Sequence, residues 1–72
     1  MAKKHILPLA GMERLMKAAG ADRVGEDAKD ELRDQLEDLA FEISQKALKF
    51  ALHAGRKTIK AEDIKLAGKH KE

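Results

Sequence analysis

Cysteine is absent, which removes disulfides as a source of stability and separates the sequence from small secreted domains built on a cysteine framework. An intracellular setting is the default expectation. No stretch approaches the roughly 20 apolar residues that span a bilayer, so no membrane association is expected. The opening Met1-Ala2-Lys3-Lys4-His5 is basic, but the chain meets Pro8 and Gly11 before any uninterrupted apolar region builds, so a secretory signal is not expected. His5, His53 and His70 lack metal-ligand spacing, the acids alternate with bases, and neither a glycine-rich phosphate loop nor a nucleophile motif occurs. Enzymatic activity, a metal and a cofactor are therefore not expected. With 72 residues the chain makes one domain at most and buries only a modest fraction of its unfolded surface. Small folds gain stability from disulfides, a metal or a partner chain. With the first two missing, oligomerisation remains.

Proline and glycine are also missing from residues 26–53. There Ala28, Leu32, Leu36, Leu39, Ile43, Ala47, Phe50 and, just beyond, Ala54 recur at steps of three and four, the apolar stripe of one long helix from about Glu26 to His53. Its length is roughly 40 Å, more than two short helices of the same chain can cover, so the stripe predicts a second copy crossing it. Upstream, Pro8 suits a helix's opening turn, Leu9, Met12, Leu15, Met16 and Ala19 keep helical spacing, and Gly20 fits the position just past a helix end. This predicts a short helix over about residues 8–19. Gly25 is a serviceable N-cap for the long helix, and Glu26 and Asp27 complement its positive end. Downstream, Gly55 is a stop, Thr58-Ile59 reads as a short extended piece, and a last helix opens at Ala61-Glu62-Asp63 and runs through Ile64, Leu66 and Ala67. Gly68 leaves its end open, and the tail Lys69-His70-Lys71-Glu72 reads as frayed. No run alternates like a strand, so the expected class is all-α.

The formal net charge of +2 hides a segregation. Residues 1–25 carry five bases against two acids, residues 26–52 four against eight, and residues 53–72 six against three. Positive outer thirds around a negative middle suit an anionic partner that touches both ends, provided the fold brings them together. A solvated surface with ordinary salt bridges would show the same blocks.

The run His53-Ala54-Gly55-Arg56-Lys57-Thr58-Ile59-Lys60-Ala61-Glu62-Asp63-Ile64 resembles the second loop and third helix of archaeal histones nearly letter for letter. Leu7-Pro8-Leu9-Ala10, Ala19-Gly20-Ala21, and Arg23-Val24 followed by acids resemble that family's first helix and first loop. The resemblance covers about residues 6–67, the core of a single domain over 1–72, and implies the histone fold. In that family two chains cross at their long helices in a handshake, with the first loop of one beside the second loop of the other. Arg23-Val24 would then lie next to the partner's Thr58-Ile59, and the two basic thirds would share one outer face.

The resemblance also implies duplex DNA as the ligand, bound without reading sequence. Arg14 matches the family's arginine that enters the minor groove, where the donor and acceptor pattern is degenerate. Lys17, Arg23, Lys57 and Lys60 match backbone contacts, and the Thr58 hydroxyl, loop amides and first-helix N-termini are further phosphate donors. Each has a plainer reading as a surface cation, most readily Lys17 and Lys60. Lys3, Lys4, Lys69 and Lys71 read as solubilising ends. Arg56 and Asp63 match a pair that braces the second loop against the third helix. His53 and Asp63 match residues near the contact where two dimers join into a four-helix bundle. That pair would make assembly pH-sensitive; otherwise His53 is a partly buried histidine with no switching role.

Three features bear on the transfer. Leu52 stands where relatives often carry a base, next to Phe50, which points to a more hydrophobic dimer-to-dimer contact through Phe50, Leu52, His53 and Asp63. The long helix is acidic on its polar face through Asp30, Glu31, Asp34, Glu37 and Asp38, which opposes DNA running along it. Gly20, in the family, lets successive turns of a filament stack. The expected function is a nucleoid-associated cytoplasmic histone that bends, wraps or compacts duplex DNA as a homodimer assembling into tetramers or larger complexes, with a paralogue as another possible dimer partner. A filament, a closed face-to-face tetramer and a DNA-bending dimer are all compatible with it. The alternative is a histone-fold protein-interaction subunit of a transcription complex, docking through the acidic helix.

Overall fold

The computed structural model describes residues 5–69, Lys69 by its backbone alone, and contains three helices and no strand among them. They are α1 (Leu9–Ala18), α2 (Glu26–His53) and α3 (Ala61–Lys69), the short, long, short order that periodicity predicts. The lysines Lys3, Lys4 and Lys71, and His70 in the tail, lie outside the described residues.

Helix ends follow local chemistry closely. Pro8 is the N-cap of α1, extended at φ −79° and ψ 141°, one position outside the opening turn expected for it. Both α1 and α2 end in the same motif. Gly20 takes φ +117° and Gly55 φ +78°, a region that side chains with a Cβ disfavour. The turn lets Gly20 N–H reach the Lys17 carbonyl at 3.0 Å and Ala21 N–H reach the Met16 carbonyl at 3.1 Å. At α2 the Gly55 and Arg56 amides reach Leu52 and Ala51, both at 2.9 Å. The carbonyls that a helix end leaves orphaned are thus satisfied. The start of α2 sits on Gly25, whose carbonyl accepts the Ala28 and Lys29 amides at 3.1 and 3.2 Å. Helix α3 continues through Gly68. Thr58 and Ile59 form a bend and irregular chain, not a strand.

The chain divides into two compact units within α2, Met1–Asp38 and Leu39–Glu72. Met12 is the buried apolar residue of the first. In the second, Ala47, Ala51, Ala67 and Asp63 are buried. No leucine, isoleucine, valine or phenylalanine among the described residues is buried. The predicted stripe is correspondingly bare, with Leu39 44% exposed and Ile43 and Phe50 only half-buried. A second exposed set, Phe41, Leu48 and Leu52, recurs at steps of seven and four on the opposite side of α2. The sequence reading missed it.

Candidate nucleic-acid interface

In the first unit, α1 has no acid in its opening turn and no side-chain cap at Pro8. By contrast α2 opens with Glu26 and Asp27, and α3 with Glu62 and Asp63. The α1 N-terminus therefore keeps its partial positive charge uncompensated. Arg14 and Lys17, three residues apart on α1 and so on one helical face, are exposed, as is Arg23 in the following connector. Among the described residues Arg14 and Arg23 enter no ion pair. Lys17 does: its Nζ lies 3.3 Å from Glu13 Oε2. Glu13 also accepts from Lys29 Nζ at 3.3 Å, and Lys29 in turn meets Glu26 at 2.9 Å. The Lys29 hydrogen bond first, then that of Lys17, hold the Glu13 carboxyl below its ordinary range. Glu26 first, then Glu13, raise Lys29.

Glu37 behaves unlike the other acids grouped on the polar face of α2. Its Oε2 accepts the Ile6 and Leu7 amides at 2.6 and 2.7 Å, and His5 Nδ1 lies 3.3 Å from Oε1. The carboxylate straps the segment before α1 to α2 and is only 10% exposed. The Leu7 amide above all, then Ile6 and His5, lower its pKa against the opposing effect of burial.

In the second unit the connector 54–60 is built on a fork. Arg56 Nη1 donates to Asp63 Oδ2 at 3.0 Å and Nη2 to Oδ1 at 3.1 Å, and Nη1 also donates to the Thr58 carbonyl at 2.9 Å. Asp63 Oδ2 also accepts the Lys60 amide at 2.8 Å, capping α3 from within. Arg56 first and the Lys60 amide second hold Asp63 below its usual value, and Asp63 holds Arg56 above its own. With its ends tied, this connector presents Lys57, Thr58 and Lys60 exposed, with neither lysine side chain in an ion pair among the described residues.

The residues expected at a dimer-to-dimer contact are not gathered in one place. Phe50 and Asp63 line an open hollow with Ala54, Arg56, Lys65 and Leu66. Leu52 and His53 do not line it; two residues along a helix turn a side chain by roughly 200°, which puts Leu52 across from Phe50. No hydrogen bond or ion pair joins His53 to Asp63 among the described residues, and the Asp63 carboxylate is committed to Arg56. Leu66, 48% exposed, belongs to the hollow without having been singled out. No group of three potential metal ligands occurs among the described residues, and none of the helices is long and apolar enough to cross a membrane.

Two short helices flanking a long one, basic connectors on either side of it, and the second connector braced by a buried Asp63–Arg56 fork define a histone-fold protein. A family model described as histone-like transcription factor (CBF/NF-Y) and archaeal histone matches residues 5–67, and the chain belongs to that family. It is 56% identical over 63 residues to an archaeal histone of Thermococcus zilligii, HAN1, covering 88% of this chain and 94% of that protein. It is 48% identical over 61 residues to probable archaeal histone 3 of Methanocaldococcus jannaschii, covering 85% and 91% respectively. Such a protein is structural, not an enzyme.

Proposed function

We propose that this chain is a sequence-nonspecific DNA-binding histone, in which two copies clasp along α2 and the dimer bends or wraps duplex DNA by its phosphates. The observation that carries the reading is the state of the cations. Arg14, Arg23, Lys57 and Lys60 are exposed and, among the described residues, their side chains have no carboxylate to give up before meeting a phosphate. The similarity to two archaeal histones supports the same reading. In a handshake the first connector of one copy lies beside the second connector of the other, so Arg23 joins the partner's Lys57 and Thr58 on one ridge, with the uncompensated α1 N-terminus near phosphate and Arg14 in the minor groove. The apolar side chains left bare on α2 support the clasp, since exposed apolar surface costs roughly 25 cal/mol per Å². A second copy of the same chain, or a paralogue, would cover them. The hollow lined by Phe50 and Leu66 supports further joining of dimers into tetramers or larger complexes, and DNA as ligand places the protein on the nucleoid.

Salt dependence tests this. If each dimer neutralises about eight phosphates, the affinity for random-sequence duplex falls with salt at a log-log slope of roughly −7. A slope near zero overturns the reading. No binding even at low salt favours instead a protein-binding subunit docking through the acidic face of α2.

A further inference from the structure

Of the five cations assigned to DNA, Lys17 alone is already held by a carboxylate. Glu13 lies one turn before it on α1 with Nζ 3.3 Å from Oε2. Its other oxygen, Oε1, is 3.3 Å from Lys29 Nζ on α2. The two cations differ sharply in access: the Lys17 side chain is 51% exposed and that of Lys29 12%. Lys29 is in turn anchored by Glu26 at 2.9 Å. Glu13 thus shares one mobile cation and one fixed cation, and a phosphate can reach only the mobile one.

We propose that Glu13 restrains DNA binding by competing with phosphate for Lys17, and that Lys29 is the resident counter-ion that keeps Glu13 in place when Lys17 leaves. This rests on the reading of Lys17 as a phosphate contact.

The physical chain is short. An exposed ion pair four residues apart on a helix is weak, so the dense charge of a duplex draws Lys17 away from Glu13. What remains is a carboxylate beside the DNA. Left alone it would repel the phosphates and take up a cation from solution, cancelling the counter-ion that Lys17 releases. Held by Lys29 it does neither fully. Lys29 is poorly exposed and already paired, so it contributes by fixing Glu13 and not by touching DNA. The effective charge that α1 brings to the duplex is then Arg14 plus a fraction of Lys17, and Glu13 sets that fraction. Sequence reading gives no sign of this, because Glu13 and Lys29 are sixteen positions apart and come together only in the fold.

The test is the salt dependence of binding to random-sequence duplex by the full chain, with melting and sedimentation confirming an intact oligomer. Glu13→Gln, at a partly exposed position, binds roughly fivefold more tightly per dimer at low salt, the effect of removing one charge about 8 Å from phosphate in each protomer. Its log-log slope steepens by up to about 0.9 per protomer. Lys29→Gln leaves Glu13 with Lys17 alone, so it binds more weakly than wild type with a shallower slope. Lys29→Arg, which keeps the cation, reverses that loss. The double variant Glu13→Gln with Lys29→Gln returns to the tighter binding of Glu13→Gln.

Three results would overturn the proposal while leaving the histone reading intact. The first is wild type binding with the expected steep slope while Glu13→Gln matches it in affinity and slope. The second is a Lys17→Gln variant whose slope is unchanged. The third is a double variant as weak as Lys29→Gln, which would make Lys29 itself a phosphate contact. Wild type that binds no duplex at low salt overturns the functional reading, and this inference with it.

Discussion

Asp63 carries three hydrogen bonds on two oxygens while only 2% exposed. Removing it leaves the Arg56 guanidinium and the Lys60 amide without their acceptor, and unpaired polar groups are expensive away from water. Asp63→Ala is therefore expected to lower Tm by several degrees, in a thermal melt, under conditions where DNA affinity is still unchanged; equal stability would remove the bracing role. The pH dependence has a definite sign. The pKa of Asp63 is depressed below its ordinary 3.8 in the folded chain, so its contribution is fully present above 3.8 and is lost as pH falls through the lowered folded value. The stability gap between wild type and Asp63→Ala, read as a urea midpoint, should narrow only in that acid window. Glu37 follows the same sign from an ordinary value of 4.5, with a more local readout. Glu37→Ala should speed hydrogen exchange at the Ile6 and Leu7 amides at neutral pH, whereas amides that stay protected would mean the strap is held by something else.

At the level of whole helices, much of the architecture was legible in the sequence. The absence of proline and glycine from 26–53 gave α2 its full length, and Gly20 and Gly55 marked where α1 and α2 stop, since in both cases the left-handed turn returns two amides to the last carbonyls. What periodicity cannot carry is a partner far away along the chain. Glu37 looked like one more solvated acid on α2, yet its ligands are amides thirty and thirty-one residues upstream. Arg56 and Asp63, seven apart, were named only because the run around them resembles a family; no local rule pairs an arginine before a helix with its third residue. Leu52 and Phe50, neighbours in sequence, were joined although a helix sends them apart. The glycines allow a direct check. A Cβ at Gly55 meets nothing within 4 Å, so its only obstacle is φ +78°. Gly55→Ala should cost about 1 kcal/mol, whereas Gly68→Ala, inside α3 with nothing within 4 Å of the added methyl, should gain about 0.5 kcal/mol. Denaturant midpoints read both; a neutral Gly55→Ala would mean that the turn is not kept in solution.

For the molecule as a whole, the buried apolar residues described are one methionine and three alanines. Three alanines have little surface to withdraw from water, and the large apolar side chains, Leu15 at 54%, Phe41 at 56% and Leu52 at 55% among them, remain exposed. Ordering the backbone costs roughly 1–2 kcal/mol per residue, which a core of that size does not offset. Folding and association must therefore be one event, with the second copy supplying what the chain lacks. Thermal unfolding should then depend on protein concentration, Tm rising as the solution is made more concentrated and falling on dilution, because mass action favours the associated state. Circular dichroism across a hundredfold dilution series, alongside sedimentation, checks this. If helicity and Tm are the same at every concentration while the sedimenting species is a single chain of 8.0 kDa, the bare face of α2 is covered by nothing. The clasp, and the shared ridge of cations that depends on it, would then have to be given up.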